Sequence, residues 1–415
     1  MNLRGFSVLG ITLSLLTGLL LALPARGQSN CSLYWTEFAA LPEHPTGRRY
    51  HAMAYDSARG RTVLFGGRDT RSVQGTNELY GDTWEFDGYY WEQRFPANSP
   101  PARYAHTMTY DAARRVTVLF GGRLGLDLHQ SPNAADVWEW NGNDWAQVTV
   151  SGSRPIERFH HGMAYDTVRA VHVIYAGSGV IQIPGGLRFY TLADTWEYDG
   201  TARQWTMRSE TNYASQQVTL VFDAERNNTL LYIGDAPQKT WTWNANTGIW
   251  TALTPPMSPR IAAGGAMAYD SERGVVVLCS GEFDGGGTIA DTWEWDGSTW
   301  HDKSGSAGEP YFFCCPRDNA AMAYDSRLKQ MVLFGGNGAF EDRTWVLQPD
   351  IVFVDWQNTG AQGGSDRYPY RTIRQALDSL QCGTIRIQPG SYAETPMTIN
   401  KAVRLEALNG AVQIH

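Results

Sequence analysis

Arginine and histidine side chains recur at fixed offsets along the chain, and cations ordered in this way could bind an anion. The arginines stand five residues before a methionine, and the histidines stand two residues before one. The set, called the collar residues below, comprises Arg48, His51, Arg103, His106, Arg158, His161 and Arg317. If the repeated segments surround an axis, these side chains gather at one mouth of a central channel and form a cationic collar for an acidic sugar or another carboxylate. The alternative is structural, because an arginine that recurs in every unit can hold the fold by bonding backbone carbonyls of the next unit, and the regular recurrence favours this alternative.

The acidic runs of the sequence indicate turns rather than a calcium site. Runs of the form D-T-W-E-x-D-G bring Asp82, Glu85 and Asp87 close together in the chain. Calcium needs six or more oxygen atoms that converge on one loop, whereas Asp82 and Glu85 of a strand point to opposite faces. The five cysteines contain no C-x-x-C pair for zinc, and no Ser–His–Asp or metal triad stands out. We expect no cofactor and no metal.

Composition narrows the class of protein. The net charge of −8 disfavours nucleic-acid binding, which normally requires a basic surface. An apolar fraction of 42%, with 43 glycines and 16 tryptophans, is typical of a folded all-β protein with many turns and much aromatic packing.

A repeated segment sets the positions of all these residues. The phrase MAYD and its relatives occur six times, centred on Tyr55, Tyr110, Tyr165, Phe222, Tyr269 and Tyr324. Each copy contains four strand-like runs: the MAYD run, a second run that usually ends in Gly-Gly, a third that contains D-T-W-E, and a fourth that opens with a tryptophan in five copies. Successive copies lie 47–57 residues apart. Four antiparallel strands repeated at such an interval predict the blade of a β-propeller.

The repeat resembles the kelch motif. The double glycine (Gly66–Gly67), the later aromatic residue (Trp84) and the tryptophan that opens strand four (Trp91) follow one another in order, and the resemblance covers roughly Ser32–Leu347. It implies an all-β fold with a six-bladed kelch-type β-propeller, which we assign to residues 28–350. The fourth copy departs most, because it lacks the double glycine.

The ends of the repeated region indicate how the ring closes. The sixth copy stops after Trp345 without a fourth strand, whereas Ser32–Phe38 near the N-terminus is a spare one. Trp35 stands 20 residues ahead of the tyrosine of its MAYD phrase, Tyr55, and Trp91 stands 19 residues ahead of Tyr110. We therefore predict that the N-terminal strand completes blade six and removes a sheet edge that would invite aggregation.

Long segments of dissimilar sequence follow the second strands, and function usually lies on such loops. They are Arg68–Gly81, Arg123–Ala135, Ser178–Ala193 and Glu282–Ala290. The kelch resemblance implies that these loops form the ligand face. It also admits enzymes, namely copper radical oxidases and sugar epimerases. The sequence shows no match to the tyrosine, cysteine and histidine set of the oxidases, and an epimerase stays open.

Residues 1–27 predict a secretory signal peptide. Val8–Leu23 is apolar, Arg4 precedes it, and Ala25 and Gly27 supply small residues for cleavage. An uncleaved anchor is the alternative.

The cysteines fit an oxidising destination. Cys31 would lie near blade six, and we expect it to form a disulfide with Cys314 or Cys315, which lead into that blade. Cys279 takes the place of Phe65 in a second strand, so we expect it to be buried and to form no disulfide.

Residues 351–415 predict a small second module. An amphipathic helix with the apolar stripe Ile373, Ala376, Leu377 and Leu380 precedes short strands at 384–387, 397–399, 403–407 and 412–414. The phrases PYRTIRQAL, GTIRIQPGSY and INKAVRLEA resemble the cap and first coils of a right-handed parallel β-helix of the pectin-lyase-like proteins. The sequence ends after about two coils, so this is either a short accessory module or a fragment, and it shows no lyase or hydrolase site.

These observations predict a secreted or cell-surface, monomeric and non-catalytic binding protein with no membrane span after cleavage. Its expected partner is an extracellular glycan or protein, held by the loop face of the propeller. The first alternative is a carbohydrate-active enzyme of the epimerase or lyase type with its site in the propeller funnel. The second is a cell-surface structural scaffold.

Overall fold

The structure is a computed structural model that describes most of the chain. The described residues are 11–12, 33–37, 43–69, 78–127, 131–183, 186–211, 213–215, 217–234, 236, 239–283, 286–304, 316–338, 341–349, 351–360, 369–380, 383–394, 399, 403–408 and 411–414. They divide into two compact units, one of residues 35–347 and one of the remaining described residues.

The larger unit contains six sheets of four strands, one for each copy of the repeat. In chain order, the strands of the first three blades are Ala52–Asp56, Arg61–Phe65, Thr83–Phe86 and Trp91–Arg94; Thr107–Asp111, Val116–Phe120, Val137–Trp140 and Trp145–Val148; Gly162–Asp166, Val171–Tyr175, Asp194–Asp199 and Gln204–Glu210. Those of the last three are Thr219–Asp223, Asn228–Tyr232, Thr240–Asn244 and Ile249–Leu253; Ala266–Asp270, Val275–Phe283, Thr288–Trp295 and Trp300–Asp302; Ala321–Asp325, Gln330–Phe334, Thr344–Pro349 and Leu33–Glu37. The fourth copy is a regular blade although it lacks the double glycine.

Additional strands extend the blades at one end. Ile261–Ala263 joins the sheet of blade five, and Ser178–Ile183 pairs with Gly186–Thr191 to form a hairpin. Two short ladders join Arg48–Arg49 to Arg68–Asp69 and Arg317–Asp318 to Asn337–Gly338.

The six first strands surround the axis, and each contacts the first strand of both neighbouring blades. Alternating residues of a strand face opposite neighbours. Phe65 packs with Met108 and Trp145 of blade two, whereas Leu64 packs with Val332 of blade six. The cores therefore lie between blades, which explains why both faces of the inner strands are apolar.

The N-terminal strand closes the ring, as predicted. In sheet order it is the outermost strand of blade six, beside Thr344–Pro349. Trp35 Nε1 donates a 2.9 Å hydrogen bond to the Thr292 hydroxyl of blade five. The same bond, from a fourth-strand tryptophan to a third-strand threonine of the preceding blade, recurs in Trp91–Thr344, Trp145–Thr83, Trp250–Thr195 and Trp300–Thr240. Trp35 thus occupies the place of the missing tryptophan of the sixth copy.

The smaller unit contains parallel strands and one helix. Ile351–Val354, Gly383–Ile387 and Val403–Ala407 form a parallel sheet, and Gly390–Tyr392 is parallel to Val412–Ile414, which also pairs with Ile11–Thr12.

The helix of this unit, Ile373–Ser379, begins with a capping box formed by Thr372 and Gln375. The predicted apolar stripe is buried against Val354 and Ile385. Part of the strand predicted at 397–399 lies outside the described residues, and the β-helix itself stays a prediction.

The cysteine predictions have different outcomes. Cys279 is fully buried, and its Sγ lies 4.0 Å from Met322 Sδ. Cys31, Cys314 and Cys315 lie outside the described residues, so their disulfide stays a prediction. Among the described residues, no helix has the length and apolar character needed to cross a membrane.

The closure bond can be tested with two matched substitutions. Trp35→Phe removes the hydrogen bond to Thr292, whereas Trp205→Phe removes none, because Val137 stands where the other blades have threonine and Trp205 Nε1 has no partner in the described residues. We expect Trp35→Phe to lower the free energy of unfolding by about 1 kcal/mol more than Trp205→Phe. Urea denaturation of both variants measures the difference, and equal losses would show that the bond does not stabilise the closed ring.

Candidate functional site at the channel mouth

Three of the four collar arginines are buried in ion pairs within their own blades. The guanidinium of Arg48 donates to both carboxylate oxygens of Asp82, at 2.6 and 2.9 Å, and to the Gly66 carbonyl at 3.0 Å. Arg103 makes the same contacts with Asp136 and Gly121, and Arg158 makes them with Asp194 and Ala176. The carbonyls belong to the arginine's own blade rather than to the next one.

Neighbouring blades are instead joined through the backbone of these arginines. Gly67 N donates to Arg103 O, Gly122 N to Arg158 O and Gly336 N to Arg48 O, each at 2.8 Å. Each arginine therefore fixes its own blade with its side chain and the preceding blade with its carbonyl.

The other blades alter the ion pair in different ways, and in blade five Arg260 pairs with Asp291 from a shifted position. Blade four has Ser215 for the arginine and Lys239 for the aspartate. In blade six, Arg343 replaces the aspartate and pairs with Glu37, while Arg317 donates to the Gly335 carbonyl. The arginine and its carboxylate are therefore lost together in blade four, as expected of a structural pair.

The collar histidines are buried between blades and carry no charge at neutral pH. The rings of His51, His106 and His161 lie edge-on to Phe334, Phe65 and Phe120 of the preceding blade, with centroids 5.3–5.7 Å apart. Burial, and next the charge of the adjacent Arg103, lowers the pKa of His106 to about 3. The same two causes hold the pKa of His51 and of His161 well below the ordinary value.

These contacts are structural, as the alternative for the collar holds, although the side chains bond carbonyls of their own blade and not of the next one. An anion that reached Arg103 would have to displace a carboxylate that already binds both ends of its guanidinium. Ligand binding by the collar stays a prediction.

Next to the collar, a ring of backbone hydrogen bonds surrounds the channel mouth. The residue three positions before the strand-one methionine, or its equivalent, has a left-handed backbone in every blade, with φ between 54° and 65°. These ring residues are Tyr50, Ala105, His160, Gln217, Gly264 and Asn319. At five of the six junctions, the N–H group of one of these residues donates to the carbonyl of the ring residue in the preceding blade, at 2.8–3.0 Å. Non-glycine residues in this conformation cluster at functional sites, because the surrounding structure must hold them there.

The side chains around this ring differ from blade to blade. We define the mouth cluster as Arg49, Tyr50, Arg68, Tyr104, Arg123, His160, Glu282 and Asp318. Blades one to three contribute arginine, histidine and aromatic side chains, and blades five and six contribute the two carboxyl groups. The mouth therefore has a basic half and an acidic half.

Two arginines face each other in the basic half. Arg49 and Arg68 are directly opposite in a two-residue antiparallel ladder. The Arg68 guanidinium lies 5.3 Å from the ring centre of Tyr50 and 5.1 Å from that of Tyr104. Burial, and next the charge of Arg49, lowers the pKa of Arg68. Within the described part of the chain, no carboxylate lies within salt-bridge distance of either arginine.

Arg123 continues the basic half into blade two. Its side chain is fully buried over the rings of Phe159 and Phe189. One terminal nitrogen donates to the Asp127 carbonyl, and Nε and Nη1 have no partner in the described residues. Burial, followed by the charges of Arg68 and Arg123, lowers the pKa of His160 to about 3, so this histidine is neutral.

The acidic half contains a pair of carboxyl groups. Burial raises the pKa of Glu282, and the charge of Asp318 and a hydrogen bond to it raise it further. Asp318 is buried and accepts a 2.8 Å hydrogen bond from the side chain of Asn319. Two carboxyl groups in contact cannot both ionise easily, so Glu282 holds a proton at higher pH than an ordinary glutamate.

Sequence reasoning singled out the neighbours of these residues rather than the residues themselves. Arg49 directly follows Arg48, whereas Arg68, Arg123 and Glu282 are the first residues of the predicted ligand loops. One sequence signal could have identified them: the residue types at these positions differ among the six copies of the repeat, whereas the adjacent framework positions recur. Phe189, an aromatic residue of the predicted ligand loop Ser178–Ala193, is 42% exposed.

The residues considered for calcium make other contacts. Asp82 binds Arg48, and Glu85 binds Arg59 at 2.7 Å and the Trp140 indole at 2.9 Å. Asp87 accepts from the N–H groups of two following turn residues, as expected of a turn-forming aspartate. Within the described ranges, no group of three or more His, Cys, Asp or Glu residues could hold a metal ion.

Comparison with known proteins agrees with this architecture. Residues 29–219 match the family model of the KLHDC2/KLHL20/DRC7 Kelch-repeats domain. Among solved structures, the one described as "Structure of YjhT" matches with a TM-score of 0.55 and 16% sequence identity, over 75% of this chain and 97% of that one. At this identity the likeness shows the fold alone. No curated protein matches the chain.

The buried ion pairs give a stability prediction. Arg103→Ala leaves Asp136 without its bidentate partner, and we expect a loss of about 3 kcal/mol or more in the free energy of unfolding. Arg61→Ala is the matched control, because Arg61 also pairs with an aspartate but the side chains of Arg61 and Asp87 are 36% and 32% exposed, and we expect it to cost about 1 kcal/mol or less. Chemical denaturation measures both losses, and a neutral Arg103→Ala would remove the structural role.

The buried histidines give a pH dependence. Since the pKa of His106 falls from 6.5 to about 3 on folding, the unfolded chain binds the proton first as pH decreases. Stability is therefore complete above the unfolded pKa and is lost toward pH 3, at about 1.4 kcal/mol per pH unit for each such histidine. His106→Gln should reduce this slope by the contribution of one histidine, about 1.4 kcal/mol per pH unit. Urea denaturation at a series of pH values measures the slopes. An unchanged slope in His106→Gln would show that His106 is not held neutral.

Proposed function

We propose, on the premise that this chain carries a six-bladed kelch-type propeller, that it is a secreted, non-catalytic protein whose channel mouth binds an acidic glycan outside the cell. A propeller of this type is a protein-interaction or binding scaffold. The glycan, the secretion and the monomeric state are parts of the proposal.

The basic half of the mouth is the observation that supports this function. Like charges directly opposite in a ladder repel each other, and no described carboxylate pairs with Arg49 or Arg68. An anion that lies between them would supply the missing counter-charge through charge-assisted hydrogen bonds. Tyr50 and Tyr104 beside Arg68 provide flat surfaces on which a sugar ring can pack.

Secretion is supported by the composition of the first 27 residues. The apolar stretch Val8–Leu23 and the small residues Ala25 and Gly27 fit a cleaved signal peptide, after which the mature chain would begin at Gln28. The intact mass of the protein recovered from the extracellular medium tests this part directly.

A second candidate function is supported by the acidic half of the mouth. A carboxyl group whose pKa is raised above its ordinary value is a candidate general acid, and burial and the neighbouring Asp318 raise the pKa of Glu282. A carbohydrate-active enzyme of the epimerase or lyase type would use Glu282 with Asp318. It predicts a chemical change in an incubated glycan that is lost in Glu282→Gln. A structural scaffold predicts no ligand at the mouth at all.

Glycan binding can be tested with a charge-matched set of variants. We expect hyaluronan, and not neutral dextran, to raise the thermal stability of the protein, since a ligand at a hundred times its dissociation constant stabilises a fold by about 2.7 kcal/mol. Arg68→Gln and Arg49→Gln should each weaken hyaluronan binding about tenfold. Arg61→Gln removes the same charge from a second strand, where Arg61 pairs with Asp87, and should leave binding unchanged.

Four results would contradict the proposal in different ways. Equal binding of dextran would remove the role of charge, and unchanged affinity in Arg68→Gln would remove the mouth cluster as the site. Loss of binding only in a folded Arg103→Ala variant would assign the ligand to the collar. If neither polymer binds, a protein partner or a scaffold role replaces the glycan.

A further inference from the structure

We propose that the channel mouth recognises a zwitterion, with the carboxylate of the ligand on the basic half and its ammonium group on the acidic half. This inference rests on the proposed function and names the charge pattern of the ligand. The shared chemistry is a carboxylate joined to an ammonium group, either in a free small molecule or in an acidic glycan that also carries unacetylated amines.

The two halves lie beside each other around the ring. The acidic residues belong to blades five and six and the arginines to blades one and two, and blade six is the neighbour of blade one. Tyr50 N donates a 3.0 Å hydrogen bond to the carbonyl of Asn319, which directly follows Asp318. The Tyr50 hydroxyl is influenced by the charges of Arg49 and Arg68 on one side and of Asp318 and Glu282 on the other. Tyr50 therefore marks the boundary between the two halves.

The charges of the two halves do not neutralise each other by contact. Arg49 and Glu282 are close enough for their charges to interact, yet no salt bridge joins them. Both side chains are partly exposed. Opposite charges that face one another without contact leave each half able to bind a group of the opposite sign, which a zwitterion supplies on both sides at once.

Arg123 is an independent sign of a missing anion. A fully buried guanidinium with two unpartnered nitrogens is costly, because burial removes water without supplying another acceptor. Its charge reaches His160, whose ring lies 5.0 Å from that of Tyr50, so Arg123 adds to the positive potential of the basic half. A bound carboxylate would relieve part of this cost, even without touching Arg123.

The acidic half is arranged to accept a cation rather than to bind a further anion. Asp318 is buried and held by Asn319, whereas Glu282 is the partly exposed member of the pair. A ligand ammonium beside Glu282 would favour the ionised form of this carboxyl and cancel its repulsion with Asp318. The same position repels a carboxylate, so the mouth disfavours any ligand that places a second carboxylate beside Glu282.

The experiment compares two forms of one glycan. Isothermal titration calorimetry with a hyaluronan tetrasaccharide and its N-deacetylated counterpart isolates the ammonium group. We expect the deacetylated form to bind about tenfold more tightly to the wild-type protein. Glu282→Gln should abolish this preference without weakening the intact form, and Arg68→Gln should weaken both. Glu92→Gln, at an exposed surface carboxylate, is the matched control and should retain the preference.

A second arm distinguishes the free ligand from the glycan unit. A series of unbranched ω-amino acids of increasing length is titrated beside the carboxylic acids and amines that lack one charged end. If the ligand is a free zwitterion, the amino acid of one preferred length should bind about tenfold more tightly than the matching carboxylic acid or amine. A glycan unit as the ligand predicts the preference in the tetrasaccharide pair only.

The outcomes separate this inference from the proposed function. Equal affinity for intact and deacetylated tetrasaccharide, with simple carboxylates binding as well as amino acids, would overturn the zwitterion and leave an anion site. Absence of binding by every probe would overturn the glycan function itself. Because the probe pairs are compared on the wild-type protein, the result stands even if Glu282→Gln fails to fold.

Discussion

At three of the six blade junctions, a glycine at the end of the second strand of one blade packs against a histidine of the next, and this contact constrains the residues around it. A Cβ on Gly66 would lie 3.0 Å from His106 Cε1 and 2.7 Å from Arg103 O. Gly121 and Gly335 have the same relation to the following blade. The other three junctions have neither this glycine nor this histidine; their residue pairs are Ala176 with Val218, Ile233 with Gly265, and Ser280 with Ala320. Since Ala176 and Ser280 adopt the same left-handed φ, the imidazole ring rather than the turn requires the glycine.

This contact decides which cations remain for function. The histidine that packs over the glycine is desolvated and neutral, and the arginine three residues before it is committed to an aspartate of its own blade. What the ring leaves available are the residues between and beside them, such as Arg49, Tyr50 and Arg68. The left-handed backbone at Tyr50, which costs about 1 kcal/mol or more for a non-glycine residue, is offset by the hydrogen bonds that link the blades.

The fold could be predicted from the sequence because the same local pattern of strands and turns recurs in every blade. Alternation in the first strands, the tryptophan spacing and the spare strand around Trp35 each follow from local periodicity, and all three agree with the structure. The site was harder to predict because its contacts join different copies. Glu282 and Asp318 are neighbours only once blades five and six are placed side by side. Nothing in the local pattern of Arg48 shows that Asp82, on another strand, neutralises it.

Comparison of the six copies separates structural from functional positions on physical grounds. A side chain repeated around a ring presents a field with the symmetry of the ring, and such a field cannot orient a ligand that lacks this symmetry. Residues that bind an asymmetric ligand must therefore differ between blades. The post-glycine position is Arg68 in blade one, Glu282 in blade five and Asn337 in blade six, whereas the arginine five residues before the methionine is buried wherever it occurs. Under the proposed function, this argument favours the mouth cluster over the collar as the source of specificity, because the side chains of the mouth cluster differ from blade to blade.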